Sequence, residues 1–159
     1  MSRRITIERV LPASLADVWA LWTTPAGVES WWGPEGFAVT VQALDLRPGG
    51  ILRYTMTAVG AQQIAFMKHN GMPLATQTSI TYVEVVPERR LAYVNHVDFV
   101  PGLAAYEVGT LLELDVDGAT VRLRLTLDPM HDQEWTNRAV MGWESELGKL
   151  QKLIVARSA

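Results

Sequence analysis

Apolar and polar residues alternate from Ile5 to Val10, with Ile5, Ile7 and Arg9 on one side and Thr6 and Glu8 on the other. This predicts a first strand that ends before Pro12. Ser14 and Asp17 then have the spacing of a capping box, and Leu15, Val18, Trp19 and Trp22 recur at helical spacing behind it. Thr24 followed by Pro25 is a second helix start. Val28, Trp31 and Trp32 form the apolar face of that helix, and Gly33-Pro34 stops it. Alternation returns over residues 37–46, 51–57, 76–86, 91–100, 106–116 and 120–128, which predicts six more strands. Arg47-Pro48-Gly49-Gly50 turns the chain between the first two of these, and Asp117-Gly118 between the last two.

Two segments break the alternation. Residues 61–73 carry helix formers with apolar Ile64, Phe66 and Met67, then Asn70-Gly71 as a stop and Pro73 beyond it. They predict a short helix at the rim of the sheet, serving as a lid with Phe66 and Met67 on its inner side. At the end, Asp132 caps a long helix whose stripe is Ala139, Val140, Trp143, Leu147, Leu150 and Ile154. Glu144, Glu146, Lys149 and Lys152 are expected off that stripe, in solvent. Strands with one apolar and one polar face belong to an antiparallel sheet. The fold class expected is therefore α+β: a curved antiparallel sheet around a long C-terminal helix, with two short helices after the first strand. No repeat or linker interrupts it, so residues 1–159 are expected to form one domain.

Composition narrows the function classes. With 48% hydrophobic and 19% charged residues, the chain is not disordered. It has no cysteine, which excludes disulfides, thiol nucleophiles and cysteine-ligated zinc. Fourteen basic against seventeen acidic residues give a net charge of −3 and no basic field for nucleic acid. No apolar run reaches the roughly 20 residues of a membrane span, and MSRRITIERV has no apolar region of a leader. A cytoplasmic location is expected.

The candidate chemistry is sparse. His69, His96 and His131 lack the paired spacing of a zinc helix, so no metal and no cofactor are expected. His96 and Asp98 share the face of their strand opposite Tyr93, Asn95 and Phe99-side residues, which places the acid–base pair in solvent. Arg89, Arg90, Arg122 and Arg124 read as a solvated face. No catalytic residue is assigned. Six tryptophans are the outlying count, and large rings with a polar handle line interiors and pockets. The interior expected between sheet and long helix is lined by Trp32, Tyr54, Met56, Tyr93, Asn95, Phe99, Trp135 and Trp143, with Phe66 and Met67 from the lid. Such a lining fits a small apolar or amphipathic ligand.

Pro12-Ala13-Ser14, Val18-Trp19, Trp22-Thr23-x-Pro25, Trp31-Trp32-Gly33-Pro34 and Asp45-Leu46-Arg47-Pro48-Gly49-Gly50 follow one another along the chain, as do Glu84-Val85-x-Pro87, Arg90-Leu91 and Gly142-Trp143-Glu144. This succession resembles the family named for the activator of the heat-shock-protein-90 ATPase. The resemblance implies the START-like, birch-pollen-allergen-like (SRPBCC) helix-grip fold, whose relatives include lipid carriers, hormone binders and cyclases. It leaves three expectations: a ligand-binding domain, an enzyme of the cyclase or hydrolase kind using His96, Asp98 and Glu107, and a module that stimulates a chaperone partner. A homodimer is left open. Residues 61–73 depart from the short glycine turn of many family members.

Overall fold

The computed structural model describes residues 4–158 apart from Phe99 and Pro101. In chain order the elements are β1 (Ile5–Leu11), α1 (Leu15–Thr23), α2 (Pro25–Trp31), β2 (Phe37–Leu44), β3 (Ile51–Ala58), α3 (Ala61–His69), β4 (Ala75–Val86), β5 (Arg90–Val97), β6 (Tyr106–Asp117), β7 (Thr120–Leu127) and α4 (Gln133–Ser158). The strands form one antiparallel sheet in the order β1-β7-β6-β5-β4-β3-β2. This is the α+β helix-grip fold that the alternation and the final apolar stripe predict.

Local chemistry sets the corners. The Ser14 hydroxyl accepts from Asp17 N at 3.1 Å and opens α1. Thr24 closes α1 and opens α2: its Oγ1 donates to Ala20 O at 2.7 Å and accepts from Gly27 N at 3.0 Å. A Cβ on Gly27 would stand 2.2 Å from Ala20 O, so only glycine lets the two helices fold back on each other this tightly. Trp31 Nε1 donates across the same junction to Leu21 O at 2.8 Å. In the β6–β7 hairpin Asp117 pairs with Thr120, which makes Gly118-Ala119 the central pair. Gly118 has φ 64°, the positive value that a type II′ turn needs at its first position.

Some boundaries differ from the predicted ones. β2 stops at Leu44 instead of residue 46, because the chain turns there: Arg47 N donates to Asp45 O and Gly50 N to Arg47 O. β5 stops at Val97 instead of residue 100. α4 continues past Ile154 to Ser158.

One sheet face carries the core. Ile7, Leu11, Leu52, Ile80, Leu91, Leu112, Leu123 and Leu125 pack with Leu147, Leu150 and Ile154 of α4 in a single cluster. The other face carries a ladder of cross-strand ion pairs, Arg124 to Glu8 at 3.0 Å and Arg90 to Glu84 at 2.7 Å and to Glu113 at 3.7 Å. The arginines lie on a solvated face as expected.

Candidate functional site

The site grows from a difference between the two halves of α4. Leu147, Leu150 and Ile154 are 1–3% exposed and seal the C-terminal half onto the sheet. In the half before them Val140, Trp143 and Glu146 are only part-buried. Beneath that half lies a cluster of rings. Trp22 stacks on Trp143 with centroids 5.8 Å apart and meets Trp32 edge-on at 6.1 Å. Trp32 in turn meets Tyr54 edge-on at 5.5 Å and Tyr93 at 6.2 Å. Of the residues expected at the site, Trp32, Tyr54, Tyr93 and Trp143 are thus brought together, with Trp32 at the centre and Trp22 linking it to Trp143. Met56 places its sulfur beside Gly33, and Asn95 Nδ2 donates to Thr110 Oγ1 at 3.4 Å. Phe99 lies outside the described residues.

The lining is more polar than the sequence suggested. Trp22 Nε1, Trp32 Nε1 and the Tyr82 hydroxyl are buried without a hydrogen-bond partner, at a cost of about 1–3 kcal/mol each, while the buried Tyr93 hydroxyl has the Thr110 side chain within reach. Tyr82 and Tyr93 are cross-strand neighbours, and Tyr93 faces Thr110 on its other side. Burial raises the pKa of Tyr54, Tyr82 and Tyr93 above the ordinary phenol value. The Glu146 charge adds to the rise at Tyr54 and Tyr93. All three therefore remain O–H donors at neutral pH.

Glu146 and Lys149 correct the expectation that they lie off the apolar stripe. Glu146 follows Trp143 by three positions and precedes Leu150 by four, so helical geometry puts it on the same face. Its stem keeps some exposure while its carboxyl is enclosed beside the rings. Burial raises its pKa to about 7, against the opposing pull of the Gly33 N–H and the Lys149 charge. Gly33 N donates to Glu146 Oε1 at 2.8 Å, and Lys149 Nζ donates to Gly33 O at 2.9 Å and to Phe37 O at 3.4 Å. Ser145 Oγ accepts from Glu35 N at 3.0 Å. One face of α4 therefore fastens the loop that follows α2. Glu146, Lys149, Tyr82 and Thr110 were absent from the expected set. The signal for Glu146 was its spacing from Trp143 and Leu150, and for Tyr82 and Thr110 their alternation with Ile80 and Leu112.

The remaining expected residues stand apart. Trp135 lies eight positions before Trp143, about 12 Å along a helix. It packs with the His131 ring at 5.7 Å and beneath the Arg138 guanidinium at 4.8 Å. In the α3 segment Met67 is 8% exposed, whereas Phe66 is 61% exposed and turned to solvent. The expectation of a shared inner side fails for Phe66 because consecutive helical residues are about 100° apart. α3 is seated at its start: Val59 N and Gly60 N both donate to Gly36 O. The Gln63 side chain lies where a Cβ on Gly36 or Gly60 would stand, 2.1 and 2.2 Å away.

His96, Asp98 and Glu107 are all exposed. His96 bridges Glu107 at 3.4 Å and Thr81 at 3.2 Å on the ion-pair face, so none of the three serves the interior. Among the described residues no group of three His, Asp or Glu side chains could hold a metal ion, and no helix is long and apolar enough to cross a membrane. Open depressions lie elsewhere on the surface. One of about 300 Å³ is floored by Ala92, Val94, Gly109 and Leu111 on the ion-pair face, and one of about 350 Å³ lies beside the β6–β7 hairpin.

With this geometry in place, the comparison with protein families is decisive. The model of the Activator of Hsp90 ATPase homolog 1-like protein family matches residues 12–154. The chain belongs to that family. Activator of Hsp90 ATPase homolog 1-like proteins share the START-type fold of a superfamily of ligand-binding domains. A crystal structure from Chromobacterium violaceum is similar at a TM-score of 0.75 and 24% identity, covering 95% of this chain and 96% of its own. The AHSA1 protein from Silicibacter pomeroyi is similar at 0.75 and 19% identity, covering 98% of this chain and 99% of its own. The AHSA1-like protein from Aeromonas hydrophila is similar at 0.72 and 17% identity, covering 98% and 94%. These likenesses show the fold. No curated protein matches the chain.

Proposed function

We propose that this domain binds a small apolar or amphipathic molecule between the sheet and the first half of α4. The carrying observation is the division of that helix. Its second half is sealed by Leu147, Leu150 and Ile154, while its first half leaves Val140, Trp143 and Glu146 part-buried over unpartnered polar atoms. A domain built only for stability gains from packing both halves alike, and buried polar groups without partners cost it free energy. Aromatic walls with a few convergent polar groups are the usual make-up of a small-molecule site. Trp32, Tyr54, Tyr93 and Trp143 supply the walls, and Met56 and Asn95 border them.

The catalytic alternative loses its residues, since His96, Asp98 and Glu107 are exposed. The test is titration with the dye Nile red. A saturable rise in dye emission, with quenching of tryptophan emission, is expected for the native protein and should weaken at least fivefold in Trp143→Ala. Native protein that gives no saturable response would refute the reading.

A further inference from the structure

The outer face of the sheet is not charged throughout. Amid its ion pairs lies the open depression of about 300 Å³, floored by Ala92 and Val94 of β5 and by Gly109 and Leu111 of β6. Val83 stands beside it, the extra residue of a bulge in β4 and 57% exposed. Gly109 is bare backbone there, and its N–H is taken by Asp128 Oδ2 at 2.9 Å. An apolar floor rimmed by charge marks a surface suited to contact.

The pairing of β5 with β6 gives this surface a symmetry. The outward residues of the two strands face one another as Arg90 and Glu113, Ala92 and Leu111, Val94 and Gly109, and His96 and Glu107. Basic meets acidic at both ends, at 3.7 Å and 3.4 Å. In the middle apolar meets apolar, and a branched side chain lies beside a bare backbone. A second copy can be laid face to face on this one, with a twofold axis parallel to the strands and midway between β5 and β6. Each β5 residue then meets the partner's copy of its own cross-strand neighbour, as an isologous contact requires. All four matches recur between the copies, with no like charges opposed. An axis between β4 and β5 would set Ala92 against the partner's Glu84, and one between β6 and β7 would set Ala92 against the partner's Thr6.

We infer that the chain pairs with a second copy of itself, outer face to outer face through β5 and β6, with Val94 of each copy seated over the partner's Gly109. Twisted sheets pack in this way with their strands within about 30° of each other. Eight residues along each of four strands cover roughly 500 Å² a side. The total of about 1,000 Å² lies at the low end for a specific interface, so the dimer is a reversible one. The contact leaves the space between sheet and α4 untouched and is independent of the ligand-binding reading.

Sedimentation equilibrium from about 5 to 500 μM, the range for a contact of this size, reads the dimer directly. The wild type should pass from monomer to dimer across that range. Arg90→Glu and Glu113→Arg, each checked for native circular dichroism, oppose like charges across the axis and should each weaken the dimer by about tenfold or more. Mixing the two variants separates contacts between chains from contacts within one. The like charges persist inside each chain, whereas both matches between the chains are restored, so the mixture should dimerise where neither component does. Val94→Glu should weaken the dimer as strongly, while Val116→Glu, at an exposed position farther along β6, should leave it unchanged. A wild type that stays monomeric throughout overturns the inference and leaves the face to an occupant other than this chain. A dimer that survives Val94→Glu, or a mixture that associates no better than its components, overturns it as well.

Discussion

At the scale of single residues, Glu146 is the group whose chemistry differs most from its usual behaviour. Its carboxyl, ordinarily titrating at 4.5, is raised to about 7 by burial. Between those values the folded chain holds a proton that the unfolded chain has released. This contribution to stability is therefore fully present below about pH 4.5 and is lost as pH rises through about 7. With one pKa unit near 1.4 kcal/mol and a residue that retains some exposure, the loss should be roughly 1–3 kcal/mol. Urea midpoints between pH 5 and pH 8 should show it, and Glu146→Gln, which keeps an acceptor for Gly33 N, should flatten the slope. An unchanged slope in the variant would place the titrating group elsewhere. Gly27 makes a simpler prediction. A methyl group there meets Ala20 O at 2.2 Å, so Gly27→Ala should lower stability by at least ~2 kcal/mol. A variant with wild-type melting would contradict the close α1–α2 approach.

At the scale of elements, α3 and α4 show what a pattern can and cannot reveal. The caps were legible: Ser14, Thr24 and Asp132 all accept the backbone N–H that their position in the sequence promised. The existence of α3 was legible too, because Asn70-Gly71 stops it with Gly71 at φ 65°. Its facing was not, since Phe66 and Met67 are equally apolar and only the tertiary seat of α3 decides between them. Met67→Ala should cost about 2 kcal/mol or more, and Phe66→Ala should stay within about 0.5 kcal/mol. A larger cost for Phe66 would mean that the helix is rotated from the position described. Reading charged residues as solvated also failed for Glu146 and Lys149. Their partners are backbone atoms of Gly33 and Phe37, and backbone partners leave no mark in a one-dimensional pattern. Hydrogen exchange provides a further check. Amides of α3 should exchange well before those of β5 and β6, because α3 rests on one buried side chain and two hydrogen bonds at its start.

At the scale of the whole molecule, the sheet order follows the chain closely with one exception. β2 to β7 form a meander in which each strand lies beside the next, while β1 sits at the far side, Leu11 opposite Val121 and Ile5 opposite Leu127. Alternation could identify every strand, yet it contains nothing about which edge receives β1. The interior was legible as aromatic and hidden as polar, since a tyrosine or tryptophan in a sequence does not declare whether its polar atom finds a partner.

The placement of β1 matters during synthesis. The ribosome releases β1, α1 and α2 first, and with them Trp22, Trp31 and Trp32, but the strand that pairs with β1 and the helix that covers Trp22 come last. The meander can pair strand by strand as it emerges, whereas the tryptophan-rich segment must wait until β7 and α4 have followed. Exposed aromatic surface on an unfinished chain is a liability to aggregation and a mark for chaperones and proteases. A stop codon ahead of Trp143 would therefore leave Trp22 without the ring that stacks on it, and the product should be cleared from the cell rather than persist as a weakened protein.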